Sequence, residues 1–187
     1  MRKVQRSEIV DYQTYTETRE ETRPRILAEK KLRRLHVGEH LTFLFENHDT
    51  IRYQIQEIMR TERIVKESDI QHEITVYNEL IGDDGELGCT LLVEIATEEG
   101  RAELLERWMG LNPSLYLKLA SGDQVVPTWD DRQIGETRLS SVQYLKFDTK
   151  GETPVAIGCR FDDPRLFGEV ALSSATKDAF ENDLSGR

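Results

Sequence analysis

Cysteine is scarce: Cys89 and Cys159 are the only two in 187 residues, and they lie far apart. Two such thiols exclude a disulfide framework and any cysteine-only metal or cluster site. Both sit in aliphatic runs, where a thiol behaves as a small buried hydrophobe and not as a nucleophile. Long apolar runs are missing too, and none approaches the roughly 18 residues of a membrane span. The opening "MRKVQRSEIVDYQTYTETREE" has no apolar segment behind its basic residues, so it does not read as a secretory signal. Together these absences predict a cytoplasmic protein. The phosphate loops GxxxxGK and GxGxxG, the GxSxG nucleophile elbow, HExxH and the paired ExxH of ferritin-like bundles are also absent. No cofactor is implied.

What is present suits one domain over residues 1–187, with residues 1–15 as an N-terminal arm, flexible or extended. The hydrophobic fraction is 37% and the charged fraction 32%, enough aliphatic residue for a core. The net charge of −10 is uneven. Residues 1–66 carry 14 Lys+Arg against 11 Asp+Glu, a net of +3, whereas residues 67–187 carry 11 against 24, a net of −13. An acidic body repels nucleic acid, and the mildly basic first third can receive an acidic partner or a small anion.

Periodicity predicts five helices and about seven strands. Residues 16–35 read as a helix with Pro24 in its first turn and a thin stripe of Ile26, Leu27, Leu32 and Leu35, ended by Gly38. "HLTFLFEN" reads as a strand, and Asp49 as the N-cap of a helix over 50–65 whose buried face holds Ile51, Ile55 and Ile58. A helix over 69–81, capped by Ser68 or Asp69, buries Ile70, Ile74, Tyr77 and Ile81. "LGCTLLVEIA" is a strand and "TEEGRAELLERWMGL" a helix. Short strands follow in "SLYLKLA", "QVVPTW", "SVQYLKFD", "PVAIGCRF" and "GEVAL", and a helix near Ser173 closes the chain. Trp108, Trp129, Tyr116, Tyr144 and Phe147 read as core, and the imperfect alternation of "SVQYLKFD" suggests burial on both faces. Strands in succession predict an α+β fold: a mostly antiparallel sheet, built largely from the C-terminal half, with N-terminal helices packed on it.

"LTFLFENHDTIRYQIQEIMRTERI", "EITVYNELI" and "VQYLKFD" resemble a bacterial family designated domain of unknown function 3501 over nearly the whole chain. That resemblance implies, through gene neighbourhood, a redox or oxidative-stress setting with a rubrerythrin-like or iron–sulfur oxidoreductase partner.

Site candidates gather at residues 46–63. Arg52, Gln56, Arg60 and Arg63 recur at helical spacing, and arginine forks match carboxylate or phosphate. Glu46 and Asn47 stand just before the helix N-terminus, where free N–H groups favour anions. The plain alternative is a solvated helix face with internal pairs such as Arg60 with Glu57. A metal reading draws on Glu46, His48, Asp49, His72 and Glu73, with His48 and His72 as loosely spaced candidates; scattered histidines are more often surface or cap residues. Two functions follow. The first is a non-enzymatic binding or accessory protein docking on a redox partner through a basic helix face, with a homodimer compatible and neither nucleic acid nor membrane as partner. The second is an enzyme of unassigned reaction with a small-anion or metal pocket at the strand–helix junction. A concave pocket lined by Glu46, Asn47, Arg52 and Gln56 would favour the second, and a flat exposed arginine face the first.

Overall fold

The computed structural model describes residues 1–130, 135 and 137–186. Within them lie five helices and nine strands, the strands in two antiparallel sheets. The chain opens with an extended segment and a short 3-10 turn at Arg6–Glu8. The helices are α1 (Tyr12–Leu32), α2 (His48–Glu62), α3 (Glu67–Asn78), α4 (Glu98–Arg107) and α5 (Ser174–Ser185). Strands β1 (Arg34–Val37), β2 (Leu41–Glu46) and β3 (Glu86–Val93) precede α4. After it come β4 (Leu115–Leu119), β5 (Gln124–Val125), β6 (Thr128–Trp129), β7 (Val142–Asp148), β8 (Pro154–Cys159) and β9 (Gly168–Ala171). One sheet is ordered β1-β2-β3-β7-β6 and the other β5-β4-β8-β9. The fold is α+β, its helices weighted to the N-terminal side and most of its strands to the C-terminal half.

A main core lies between the sheets, with Phe43, Leu91, Phe147, Leu117, Ile157 and Trp108 fully enclosed. Phe180 of α5 packs at a tilt of 57° against Phe45 of β2 with ring centroids 4.7 Å apart, tying the last helix to the second strand. A second, smaller core joins Val4 and Ile9 of the opening segment to Ile51, Ile55 and Met59 of α2 and to Ile70 and Ile74 of α3. The opening residues are therefore packed in an extended course across α2 and α3.

Several local expectations are corrected. The first helix starts at Tyr12, because the Asp11 carboxylate caps Gln13 and Thr14, and Pro24 lies in the interior. Proline there forfeits one N–H bond, a loss this solvent-facing helix tolerates. Of the stripe on that helix only Ile26 is buried; Leu27 and Leu32 are exposed. Residues 34–37 form β1 and not a helical end, since pairing with β2 satisfies their backbone. Gly38 instead makes the β1–β2 turn at φ +59°, where a side chain would overlap the Arg165 carbonyl. The cap of α2 is Asn47, and Asp49 falls in its first turn. Met59, not Ile58, completes the buried row with Ile51 and Ile55, an i, i+4, i+8 stripe. The backbone of Lys66 starts α3 without a side-chain cap. "QVVPTW" splits at Val126–Pro127 into β5 and β6, which join different sheets. β7 buries one face only: Gln143, Leu145 and Phe147 point inward, and Tyr144 is 43% exposed.

Candidate functional site

The β2–α2 junction is built by reciprocal capping. The Asn47 side chain accepts the Thr50 N–H at 2.9 Å, and the Thr50 hydroxyl oxygen accepts the Asn47 N–H at 2.9 Å. Thr50 in turn donates its hydroxyl proton to Glu46 at 2.5 Å. Burial pushes the Glu46 carboxyl above the usual range, against that hydrogen bond and the nearby Lys30 and Arg33 charges. The amide of Asn47 also reaches across to α5, donating to Asp183 Oδ1 at 3.0 Å.

Asp183 is the centre of an interior ion pair. Arg33, at the C-terminal cap of α1 and only 3% exposed, grips it with two bonds, Nε to Oδ2 at 2.8 Å and Nη2 to Oδ1 at 2.9 Å. A third nitrogen, Arg33 Nη1, donates to Glu29 at 2.6 Å. Burial opposes the Arg33 charge, and the Asp183 and Glu29 carboxylates more than offset it, so its pKa is raised. Asp183, held by Arg33 and by the Asn47 amide, thus ties α5 to the ends of α1 and α2.

His48, the first residue of α2, is bracketed by acids. Its Nε2 lies 3.1 Å from both oxygens of Glu8, and its Nδ1 lies 3.0 Å from Asp49 Oδ1. Arg2 Nη2 stands 3.3 Å from the same Nδ1, and Arg2 Nη1 donates to Glu8 at 2.7 Å. The Glu8 carboxyl is drawn down to about 2: loss of solvent opposes its charge, but the Gln5 backbone N–H, His48 and Arg2 outweigh that. Asp49 is also lowered despite partial burial, by Arg25 at 2.7 Å and by His48. Through both ring nitrogens, His48 ties the opening segment to α2.

Beside this junction is a cleft of about 690 Å³. One wall is α5, through Ala175, Asp178, Asn182 and Asp183; the facing walls are Glu29 and Arg33 from the end of α1, and Asn47, His48 and Asp49 from the start of α2. Met1 and Arg2 close one side. Asp178 is exposed and makes no ion pair or side-chain hydrogen bond with any described residue. The other acids of the cleft are engaged: Glu29 and Asp183 by Arg33, Asp49 by Arg25 and His48.

The residues expected at the site divide between places. Asn47 lines the cleft, and Glu46 does not, its carboxylate accepting from Thr50. Arg52 is exposed and donates Nε–H to the Glu8 carbonyl at 3.0 Å. Gln56 is buried and bonds both ways with the Val10 backbone, accepting at 2.9 Å and donating at 3.0 Å. Arg60 reaches only Glu57, at 3.5 Å, and its buried Nε has no hydrogen bond among the described residues. Arg63 is exposed and takes the left-handed C-cap position of α2, φ +53°. The opening segment therefore lies over the flank of α2 that holds Arg52 and Gln56. His72 is exposed on α3, and no group of three or more His, Cys, Asp or Glu side chains among the described residues stands close enough to hold a metal. Arg2, Glu8, Asp178 and Asp183 escaped sequence reasoning, because they come from the two ends of the chain and share no spacing with residues 46–63.

Cys89 and Cys159 are both buried free thiols, and burial pushes each up. Among the described residues no helix is long and apolar enough to cross a membrane.

The family model described as protein of unknown function (DUF3501) matches residues 3–184, so the chain belongs to that family. The crystal structure of a novel protein of unknown function from Burkholderia pseudomallei superposes with a TM-score of 0.85 at 28% identity, covering 98% of this chain and 100% of that one. No curated protein sequence matches the chain.

Proposed function

We propose that this member of the DUF3501 family is a small-molecule binding protein whose site is the cleft between α5 and the start of α2. The supporting observation is the concave, polar shape of that cleft with one unpaired acid, Asp178, on a wall facing the α2 N-terminus and Arg2. An unpaired carboxylate suits an ammonium group, whereas helix-start N–H groups and a guanidinium suit an anion. A ligand bearing both charges, a small zwitterion of amino-acid type, meets both walls.

A thermal-shift screen with α-, β- and γ-amino acids, followed by calorimetry, tests this reading. One spacing of the two charges should bind, and Asp178→Asn should weaken it about tenfold or more, the worth of one charge-assisted hydrogen bond. Equal binding by the variant would remove the assignment.

The accessory-protein reading keeps one supporting observation. Over its 21 residues α1 buries only Tyr15 and Ile26, which leaves a long, charged helix on the surface. A pull-down in which charge reversal at the exposed Lys31 abolishes capture of a partner would favour that docking role over the cleft.

A further inference from the structure

Between α1 and α2 runs a second concavity, a groove of about 220 Å³ that lies apart from the cleft except where Asp49 borders both. It is smaller than the roughly 300–1,000 Å³ typical of drug-sized pockets, so only a small molecule fits. Tyr15, Ile26 and Tyr53 give it apolar walls. Its polar groups are mostly committed as donors elsewhere. Thr14 donates to Asp11 at 2.7 Å, and Thr18 and Thr22 donate to backbone carbonyls of their own helix, each at 3.2 Å. Tyr15 gives its hydroxyl proton to Glu57 at 2.7 Å, and both ends of Gln56 hold Val10. Each Asp49 oxygen already faces a partner, His48 or Arg25.

What remains uncommitted is the Tyr53 hydroxyl, which makes no hydrogen bond with any described residue, and a cation at the rim. Arg52 uses only Nε, on the Glu8 carbonyl, and its two terminal nitrogens make no hydrogen bond with any described residue. Arg25 and Asp49 cancel, so the rim carries one net positive charge from its ionised side chains. The planar pair of terminal N–H groups on an arginine matches a carboxylate in two-point contact.

We infer that this groove binds a small monocarboxylate with an apolar body, its carboxylate on the Arg52 fork and its hydrocarbon part between Tyr15, Ile26 and Tyr53. The apolar part supplies burial, and the acid group supplies orientation. This excludes a bare oxyanion, which leaves the walls uncovered, and an uncharged isostere, which leaves the fork unmet.

The test titrates the intact protein with benzoate, benzamide and acetate, read by ligand-observed NMR. Benzoate should bind in the millimolar range or better, with the neutral amide and the bodiless acid each about tenfold weaker or more. Arg52→Gln should lose about tenfold for benzoate while its melting temperature holds, because an exposed arginine contributes little to folding. Thr18→Trp, an exposed helix position, should fill the mouth and block binding without touching Arg52. Benzamide binding as well as benzoate would overturn the proposal. So would benzoate binding that survives either folded variant, or no benzoate binding at about 10 mM.

Discussion

Replacing Asp183 by alanine should be among the most damaging single changes outside the hydrophobic cores. Arg33 is 3% exposed and Asp183 8%, and two bonds of 2.8 and 2.9 Å join them. Removing the acid leaves a guanidinium inside the protein with Glu29 as its remaining carboxylate, and strands the amide of Asn47. Breaking a buried pair from one side costs about 3–5 kcal/mol, because the surviving charge stays desolvated. At roughly 2–4 °C per kcal/mol for a chain of this size, the melting temperature should fall by about 6–20 °C. Urea unfolding followed by far-UV circular dichroism measures the free-energy loss directly, and the denaturant slope checks that the denatured state is unchanged. The double variant Arg33→Met with Asp183→Leu should recover part of the loss, since the guanidinium goes with its main acid, while half-buried Glu29 and the Asn47 amide still lose a partner. A loss for Asp183→Ala of no more than about 1 kcal/mol, the value of an exposed pair, would refute the placement of this ion pair in the interior.

Three further outcomes are expected. Ile55→Ala should cost about 2–5 kcal/mol in urea unfolding, through the cavity left by a fully enclosed side chain, whereas Arg63→Gln should stay within about 1 kcal/mol. Glu8 and Glu57 both titrate near 2 in the folded protein against an ordinary 4.5, Glu57 because Arg19, Tyr15 and Arg60 outweigh its partial burial. Their folded values are depressed, so the stability they confer is present above 4.5 and is lost as the pH falls from there toward 2. Urea midpoints across that window should drop, less steeply in Glu57→Gln; a parallel slope in the variant would contradict the assignment. Thiol titration should find neither cysteine reactive in the native protein and both free after unfolding without reductant.

The elements with strong local signals were legible from sequence: the apolar strand at 41–46, the isoleucine rows of α2 and α3, and the run of late strands. Errors arose where local preference and tertiary pairing diverge. "RLHV" continues a helical charge pattern, yet its backbone finds a partner in β2, a contact that no spacing encodes. Asn47 and Asp49 are equally good caps by residue type, and the choice rests on the reciprocal bonds with Thr50. The region of the candidate site was visible because Asn47, His48 and Asp49 are crowded at one junction. Its other half was not, because Glu8 meets His48 across 40 positions and Asp183 meets Asn47 across 136. Nor could spacing show that the opening segment lies over the flank of α2 that carries Arg52 and Gln56.

The cleft as a binding site is tested most directly by amide chemical-shift mapping with the tightest amino acid from the screen. Saturable shifts should cluster at residues 47–49 and 175–183, the two walls that meet there, and should disappear in Asp178→Asn. Shifts centred elsewhere in the chain, or none for any amino acid, would contradict it.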